Sequence, residues 1–312
     1  MKEKIFNLII IIISLFVLVE LFIKKSIIYS SILYALNIWV NTLIPSLFPF
    51  FIISDILINY NITLYIPRLF KNFLKKMFNI TDNMLTILLL SMISGFPSNA
   101  RNTRTLYDNG AISLEEANHI LIFSHFANPM FILTTIAIFF LKNQKLGIIV
   151  FISHYISNIL LGLFFRKIGN YDENKSNITN KYKNNFGNIF VLAIKKSIDS
   201  ILMICGILVI FLMLANIFVN SFNLGEYSMA IIKSIFEITI GVEAISKLGI
   251  SNIHKCVITS CFLAFGGISV HVQVMSQISD TKISYLCFFV GRIYQMIISG
   301  IITYFLCILF RI

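Results

Sequence analysis

Continuous apolar runs of about 20 residues, each long enough to cross a bilayer, recur from 5–23 to 285–309 and leave few folds open to this chain. The runs are unbroken rather than alternating, which excludes a transmembrane barrel. Only 12% of the 312 residues are charged, 57% are hydrophobic, and mean hydropathy is +0.86. A soluble domain of this length needs more charge to cover its surface. The chain therefore reads as all-α, a polytopic helical membrane protein of roughly 8–10 spanning or re-entrant segments. Its net charge of +11 is spread over short loops and helix ends, at Lys24, Lys25, Lys75, Lys76, Lys142 and Lys145. That pattern anchors helices at anionic head groups, and no basic domain stands apart to hold nucleic acid.

The spans can be placed in order. Residues 1–25 form a first transmembrane helix, uncleaved because no small-x-small site precedes Lys24. The stretch 27–59 is too long for one straight span and carries Pro45 and Pro49, so a kinked or interrupted helix is expected. Residues 60–82 set Arg68, Lys71, Lys75 and Lys76 beside Phe70, Phe73, Leu74 and Phe78, a basic amphipathic stretch suited to the interface. Ser113 and Glu116 have the spacing of a capping box. Spans follow at 129–141 and 147–165. A hydrophilic linker, 166–188, carries Asn170, Asp172, Glu173, Asn174, Lys175, Lys181 and Lys183. Beyond it lie 201–219, 228–245, 256–275 with an interruption at 265–269, and 285–309. The expected organisation is the first helix, a repeat over 26–165, the linker, and a second repeat over 189–312.

Inside this hydrocarbon-rich chain, residues 94–104 are polar, broken by Gly95 and Pro97, and doubly basic at Arg101 and Arg104. Broken backbone at membrane depth is tolerated only where protein or a polar cavity satisfies its N–H and C=O groups. Arginine there costs roughly 2.5–3.5 kcal/mol on insertion scales. The break overlays a second one at an offset of 171 residues, pairing Gly95 with Gly266, Ser98 with Ser269, Ile112 with Ile283 and Ser113 with Ser284. Paired discontinuous segments in two halves point to a transporter binding site. The candidate substrate contacts are Gly95, Ser98, Asn99, Arg101, Asn128, Gly266, Gly267, Ser269 and Arg292.

Arg101 offers a planar fork for a carboxylate, and three residues on, Arg104 would share its helix face. The alternative is an arm solvated outside the bilayer. Arg292 reads either as a second carboxylate contact or as an internal partner of Glu237 or Glu243. Glu237, beside Thr239 and Gly241, marks a further helix interruption, where it could carry a coupling proton or pair with an arginine. His154 and Asn158 share a face and suit either titration or hydrogen-bonded packing. His125, Asn128 and Pro129 mark another polar break. His119, His254 and His271 lack partners at ligand spacing, so no metal or cofactor is expected. The five cysteines (Cys205, Cys256, Cys261, Cys287, Cys307) read as small core residues. No nucleophile–base constellation, Walker loop or H-E-x-x-H motif occurs, which argues against an enzyme.

Six stretches in order, SGFPSNAR (94–101), HFANPMF (125–131), HYISNILLGL (154–163), AIKKSIDSILMICGILVIF (193–211), FEITIGV (236–242) and GRIYQMIISGI (291–301), resemble the YlbJ-type sporulation integral membrane proteins. The resemblance implies the nucleoside recognition, or gate, domain, with two gate-like repeats of broken helices in inverted orientation. It also implies a mother-cell protein of the outer forespore membrane in a spore-forming bacterium, moving dipicolinic acid. Expected partners are that small anionic substrate, the bilayer, and either a second copy of the chain or other sporulation membrane proteins. Two departures, Arg101 where the family more often has Lys and Cys205-Gly206 where paired glycines are common, bear on substrate selectivity. A nucleoside or nucleobase permease and a non-transporting sporulation assembly protein are the alternative readings.

Overall fold

The computed structural model describes residues 2–168, 185–222 and 224–312, and of residues 2–6, 9, 10 and 13 the backbone alone. The linker residues Asn170, Asp172, Glu173, Asn174, Lys175, Lys181 and Lys183 lie outside the described residues. The fold is that of a polytopic helical membrane protein.

Helix α1 (Lys2–Ile23) is followed by a nearly continuous 35-residue rod over Lys25–Asn59. The rod comprises α2 (Lys25–Ile38), a π-helical turn Trp39–Leu43 and α3 (Ile44–Asn59). The kink expected at Pro45 and Pro49 is thus a local widening of the helix rather than a gap. Pro45 stands in the first turn of α3, where its missing N–H costs little, and the π turn just before it absorbs the change of pitch. Helix α4 (Arg68–Phe78) meets α5 (Asp82–Ser94) at a 93° bend. Leu69, Phe70 and Phe73 of α4 are exposed, while Lys71 and Lys75 reach back to Asp82 at 2.8 and 2.7 Å. An apolar exposed face with basic residues at its edge is that of a helix lying along the head groups.

After α6 (Ser98–Asp108), α7 (Leu114–Phe123) opens on the expected capping box. Ser113 Oγ accepts from the Glu116 N–H at 3.2 Å, and the Glu116 carboxylate accepts from the Ser113 N–H at 2.7 Å. The span expected at 129–141 is instead a ten-residue π-helical stretch, Phe131–Phe140, too short to cross alone. Then come α8 (Gln144–Phe165) and α9 (Phe186–Ser221), the latter running well before the expected 201–219. The segment 228–245 is divided into α10 (Glu226–Phe236) and α11 (Ile238–Lys247), and α12 (Asn252–Phe265) gives way to α13 (Gly267–Ile278) before α14 (Tyr285–Leu309).

Five helical stretches among the described residues are long and apolar enough to cross a membrane, or six if α4 and α5 count as one bent span. The expected eight to ten segments therefore resolve into these plus half-length helices that end inside the protein. One order recurs: α5, Gly95, α6 and the Ser113-capped α7; then α12, Gly266, α13 and α14, which opens at Ser284. Ile112 and Ile283, one from each set, are both buried in the same cluster with Met84, Leu121 and Phe288. A second cluster joins the π stretch, α8 and α12 through Ile132, Ile136, Val150 and Leu263. Against these broken helices lies a separate pair of long rods, α2/α3 with α9, packed through Ala35, Leu47, Phe51, Ile201, Leu208 and Leu212. The outward faces stay bare and apolar, as at Ile198, Leu202 and Ile210, which suits contact with lipid tails.

Candidate functional site

Four helix breaks converge where the rods meet the broken core. At the first, Gly95 has φ 77°, and an added Cβ would lie 2.5 Å from the Asn128 backbone N. Only glycine fits that approach and that conformation. Asn128 closes the gap: its Nδ2 donates to the carbonyls of Ser46 (2.9 Å), Ile93 (3.3 Å) and Ser94 (3.3 Å). Its Oδ1 accepts from the N–H groups of Met130 (2.8 Å) and Phe131 (3.3 Å). One side chain thus ends α5 and starts the helix after the second break.

That second break, residues 124–128, is held from α8. The Ala127 N–H donates to His154 Nε2 at 2.9 Å, and Asn158 Nδ2 donates to the His125 carbonyl at 2.7 Å. His154 and Asn158 are fully buried, so of their two readings the structure takes hydrogen-bonded packing. The third break is at Glu237. It caps α11, accepting from the N–H groups of Thr239 (2.8 Å) and Ile240 (3.1 Å) and from Thr239 Oγ1 (3.1 Å). A carboxylate at a helix N-terminus sits at the positive end of the helix dipole. The fourth break is Gly266, with φ 94°.

Between the breaks lies a narrow, partly open cavity. Its polar wall is Ser46, Asn128, Glu237, Thr239 and Gln273, and its apolar wall includes Phe96, Phe131, Ile204 and Leu208. Every break contributes: Phe96 beside the first, Asn128 and Phe131 from the second, Glu237 from the third, Val270 and Gln273 after the fourth.

The predicted site residues divide. Asn128 and Glu237 line the cavity. Gly95, Ser98, Gly266 and Gly267 shape the breaks without lining it; Ser98 Oγ hydrogen-bonds to Ser94 Oγ at 2.5 Å and to the Gly95 carbonyl. Asn99 and Ser269 are buried, their side chains without a hydrogen-bond partner among the described residues. Arg101 and Arg104 hold different partners. Arg101 is buried in an ion pair with Asp55 of α3, near Ser197 Oγ at 3.5 Å, with Phe51 under its guanidinium. Arg104 faces outward between Asp280 (3.0 Å) and Asp108 (2.5 Å) and also reaches the Gln277 carbonyl at 3.1 Å. Its hydrogen bonds hold the exposed Asp280 carboxyl below the usual range.

Arg292 makes neither expected ion pair among the described residues. It is fully buried and donates to the carbonyls of Ile122 (2.9 Å), His125 (3.4 Å) and Ala264 (3.5 Å), lying over the Phe288 ring. These carbonyls belong to the ends of α7 and α12 and to the extended 124–128 segment. A cation at helix C-termini meets the negative ends of their dipoles, so Arg292 ties two broken helices together. Glu243, the other expected partner, pairs with Lys247 at 2.6 Å and accepts from Tyr34.

Asp55 is the residue the sequence reading passed over. It is the lone acid in the apolar run 44–58, and a carboxylate at such depth is itself a signal of a partner or a pathway. Ser46 and Gln273 carried no such signal, since serine and glutamine are common as glue between membrane helices.

Among known proteins, the chain is 28% identical over 302 residues to the sporulation integral membrane protein YlbJ of Bacillus subtilis (strain 168), covering 85% of this chain and 74% of that one. No family model and no solved structure matches the chain. Over that share of its length the chain is similar to a YlbJ-type sporulation integral membrane protein, as its motifs imply.

Proposed function

We propose that the chain is a carrier, not an enzyme, and that it moves a small organic anion, dipicolinic acid above all, across the outer forespore membrane from the mother cell. The observation that carries this reading is the convergence of four helix breaks on one cavity with a polar wall. Broken helices meeting inside a membrane protein are the construction by which carriers hold a solute at mid-depth and rock one bundle against another.

The anion is supported by Arg101 beside the first break, and the sporulation setting by the similarity to a sporulation membrane protein. Glu237 on the cavity wall is placed to carry the coupling proton, since a neutral carboxyl there removes the repulsion an incoming carboxylate meets. The test is uptake of labelled dipicolinate into vesicles containing only this protein. Uptake well above protein-free vesicles is expected, and a rate equal to theirs contradicts the reading.

One observation favours a nucleoside or nucleobase cargo instead. Apart from Glu237, the polar groups lining the cavity are neutral donors and acceptors, with Phe96 and Phe131 alongside, and among the described residues no arginine lines it. Excess unlabelled nucleoside in the same assay separates the two, because only a shared site lets it suppress dipicolinate uptake.

A further inference from the structure

Two spaces stand end to end along α9 and α13. The central cavity reaches Ile204 and Gln273, and Met203 and Ser276, on the same helices, line a wider open cleft. The cleft is richly charged, with Arg101, Arg104 and Lys196 interspersed with Asp108, Asp199 and Asp280. The central cavity carries Glu237 as its one charged wall residue.

Arg101 joins the two spaces. It lines the cleft, and its guanidinium lies 5.2 Å from the centroid of the Phe51 ring. Phe51 is packed in one cluster with Leu47 and Ile204, which form the wall of the central cavity. At this boundary Asp55 holds Arg101, the acid 2% and the base 6% exposed. The pair links α3, part of the long rods, to α6, the helix that follows the first break.

Resting on the carrier reading, we propose that the Asp55–Arg101 pair is an ionic latch between cleft and central cavity, released when a substrate carboxylate takes the place of Asp55 on Arg101. A buried ion pair is strongly destabilised when one partner is removed and the other stays charged. Exchanging one carboxylate for another avoids that state, because Arg101 is never left alone. Planar carboxylates match the guanidinium fork equally well, so Asp55 and the substrate compete for one donor set. Lys196 on the cleft wall is a cation toward which the displaced Asp55 can turn. The exchange frees α6 from α3 and gives the arriving anion a path past Phe51. It also explains how a cavity without an arginine can serve an anion: selection occurs at its entrance.

The latch can be tested without any substrate. In the full chain with its five native cysteines replaced, Gln273→Cys places a thiol in the central cavity and Ser276→Cys places one in the cleft. A negatively charged, water-soluble thiol reagent applied to protein in vesicles should label Ser276→Cys quickly and Gln273→Cys slowly. Adding Asp55→Asn should speed labelling of Gln273→Cys about tenfold or more and leave Ser276→Cys unchanged. If Asp55→Asn does not accumulate, Arg101→Lys, which keeps the charge but loses the fork, should give the same acceleration. An unchanged rate at Gln273→Cys overturns the latch, as does an equal rise at lipid-facing Ile210→Cys, or failure of both variants to accumulate. Accelerated labelling in a protein that takes up no dipicolinate keeps the latch and overturns the cargo.

Discussion

Gly95 and Gly266 each end one helix and admit another, but what surrounds them differs. The first break is pressed against the Asn128 backbone and is followed within two turns by a buried arginine paired to Asp55. The second has no charged residue within α13, and the end of α12 before it is held by Arg292 at the Ala264 carbonyl (3.5 Å). An added Cβ at Gly266 meets side chains rather than backbone, Val270 at 3.1 Å and His125 Nε2 at 3.7 Å, and its helix carries Ser269, His271 and Gln273. His271 is spent on packing, bonded to Tyr285 Oη at 2.7 Å and the Phe265 carbonyl at 3.0 Å. Similar local architecture thus serves two purposes: one break is a charged, locked entrance, the other a neutral wall. A buried acid–base pair is costly to build in lipid, and among the described residues the first break carries one while the second does not.

Substituting the two glycines gives the largest contrast. Gly95→Ala combines a left-handed φ with a backbone clash and is expected to cost about 2–6 kcal/mol, enough to prevent accumulation in the membrane. Gly266→Ala meets only side chains and is expected to cost about 1–3 kcal/mol. Melting temperatures in detergent check the order, and equal losses would remove the distinction between the breaks. Next, Arg101→Gln leaves Asp55 buried and unpaired, at about 3–5 kcal/mol, whereas Arg101→Gln with Asp55→Asn should recover most of that loss. Additive losses in this double-mutant cycle would contradict the pairing.

Glu237→Ala removes the cap of α11 and should cost about 0.5–2 kcal/mol, with Glu237→Gln milder because an amide oxygen still accepts from Thr239 and Ile240. If Glu237 carries the coupling proton, the Gln variant also loses dependence of uptake on a proton gradient. The smallest effect is at Arg104. Asp280 has its carboxyl held below the usual range, so its pairing with Arg104 is fully present above the ordinary aspartate pKa and lost as pH falls through the depressed one. A shallow acid-side loss of stability should be present in the native chain and missing in Arg104→Gln, and weakened by salt in the former.

Much of this architecture was legible from single residues. The capping box at Ser113, the breaks at Gly95, Glu237 and Gly266, and the polar break before Pro129 all announce themselves, because backbone freed in hydrocarbon demands recognisable residues. What those residues hold was less legible. Arg292 reads as an ion-pair partner, yet it binds the carbonyls of Ile122, His125 and Ala264, acceptors that every residue carries and no sequence marks. His154 and Asn158 share a face as expected, but the backbone they grip lies about 30 residues earlier in the chain. The 36 residues of α9 and the π stretch at Phe131–Phe140 escaped because uniform apolarity hides both helix ends and helix pitch. Asp55 was visible as a lone intramembrane acid; that it answers Arg101 required the fold.

The central claim is that the breaks and the charged entrance form one route for a small organic anion. Labelled dipicolinate uptake tests it in vesicles holding equal amounts of the native chain or of the Arg101→Gln, Asp55→Asn double variant, which keeps the packing and removes both charges. The account predicts uptake well above protein-free vesicles for the native chain and none above them for the double variant. Native uptake no faster than empty vesicles, or a double variant as fast as the native chain, contradicts it.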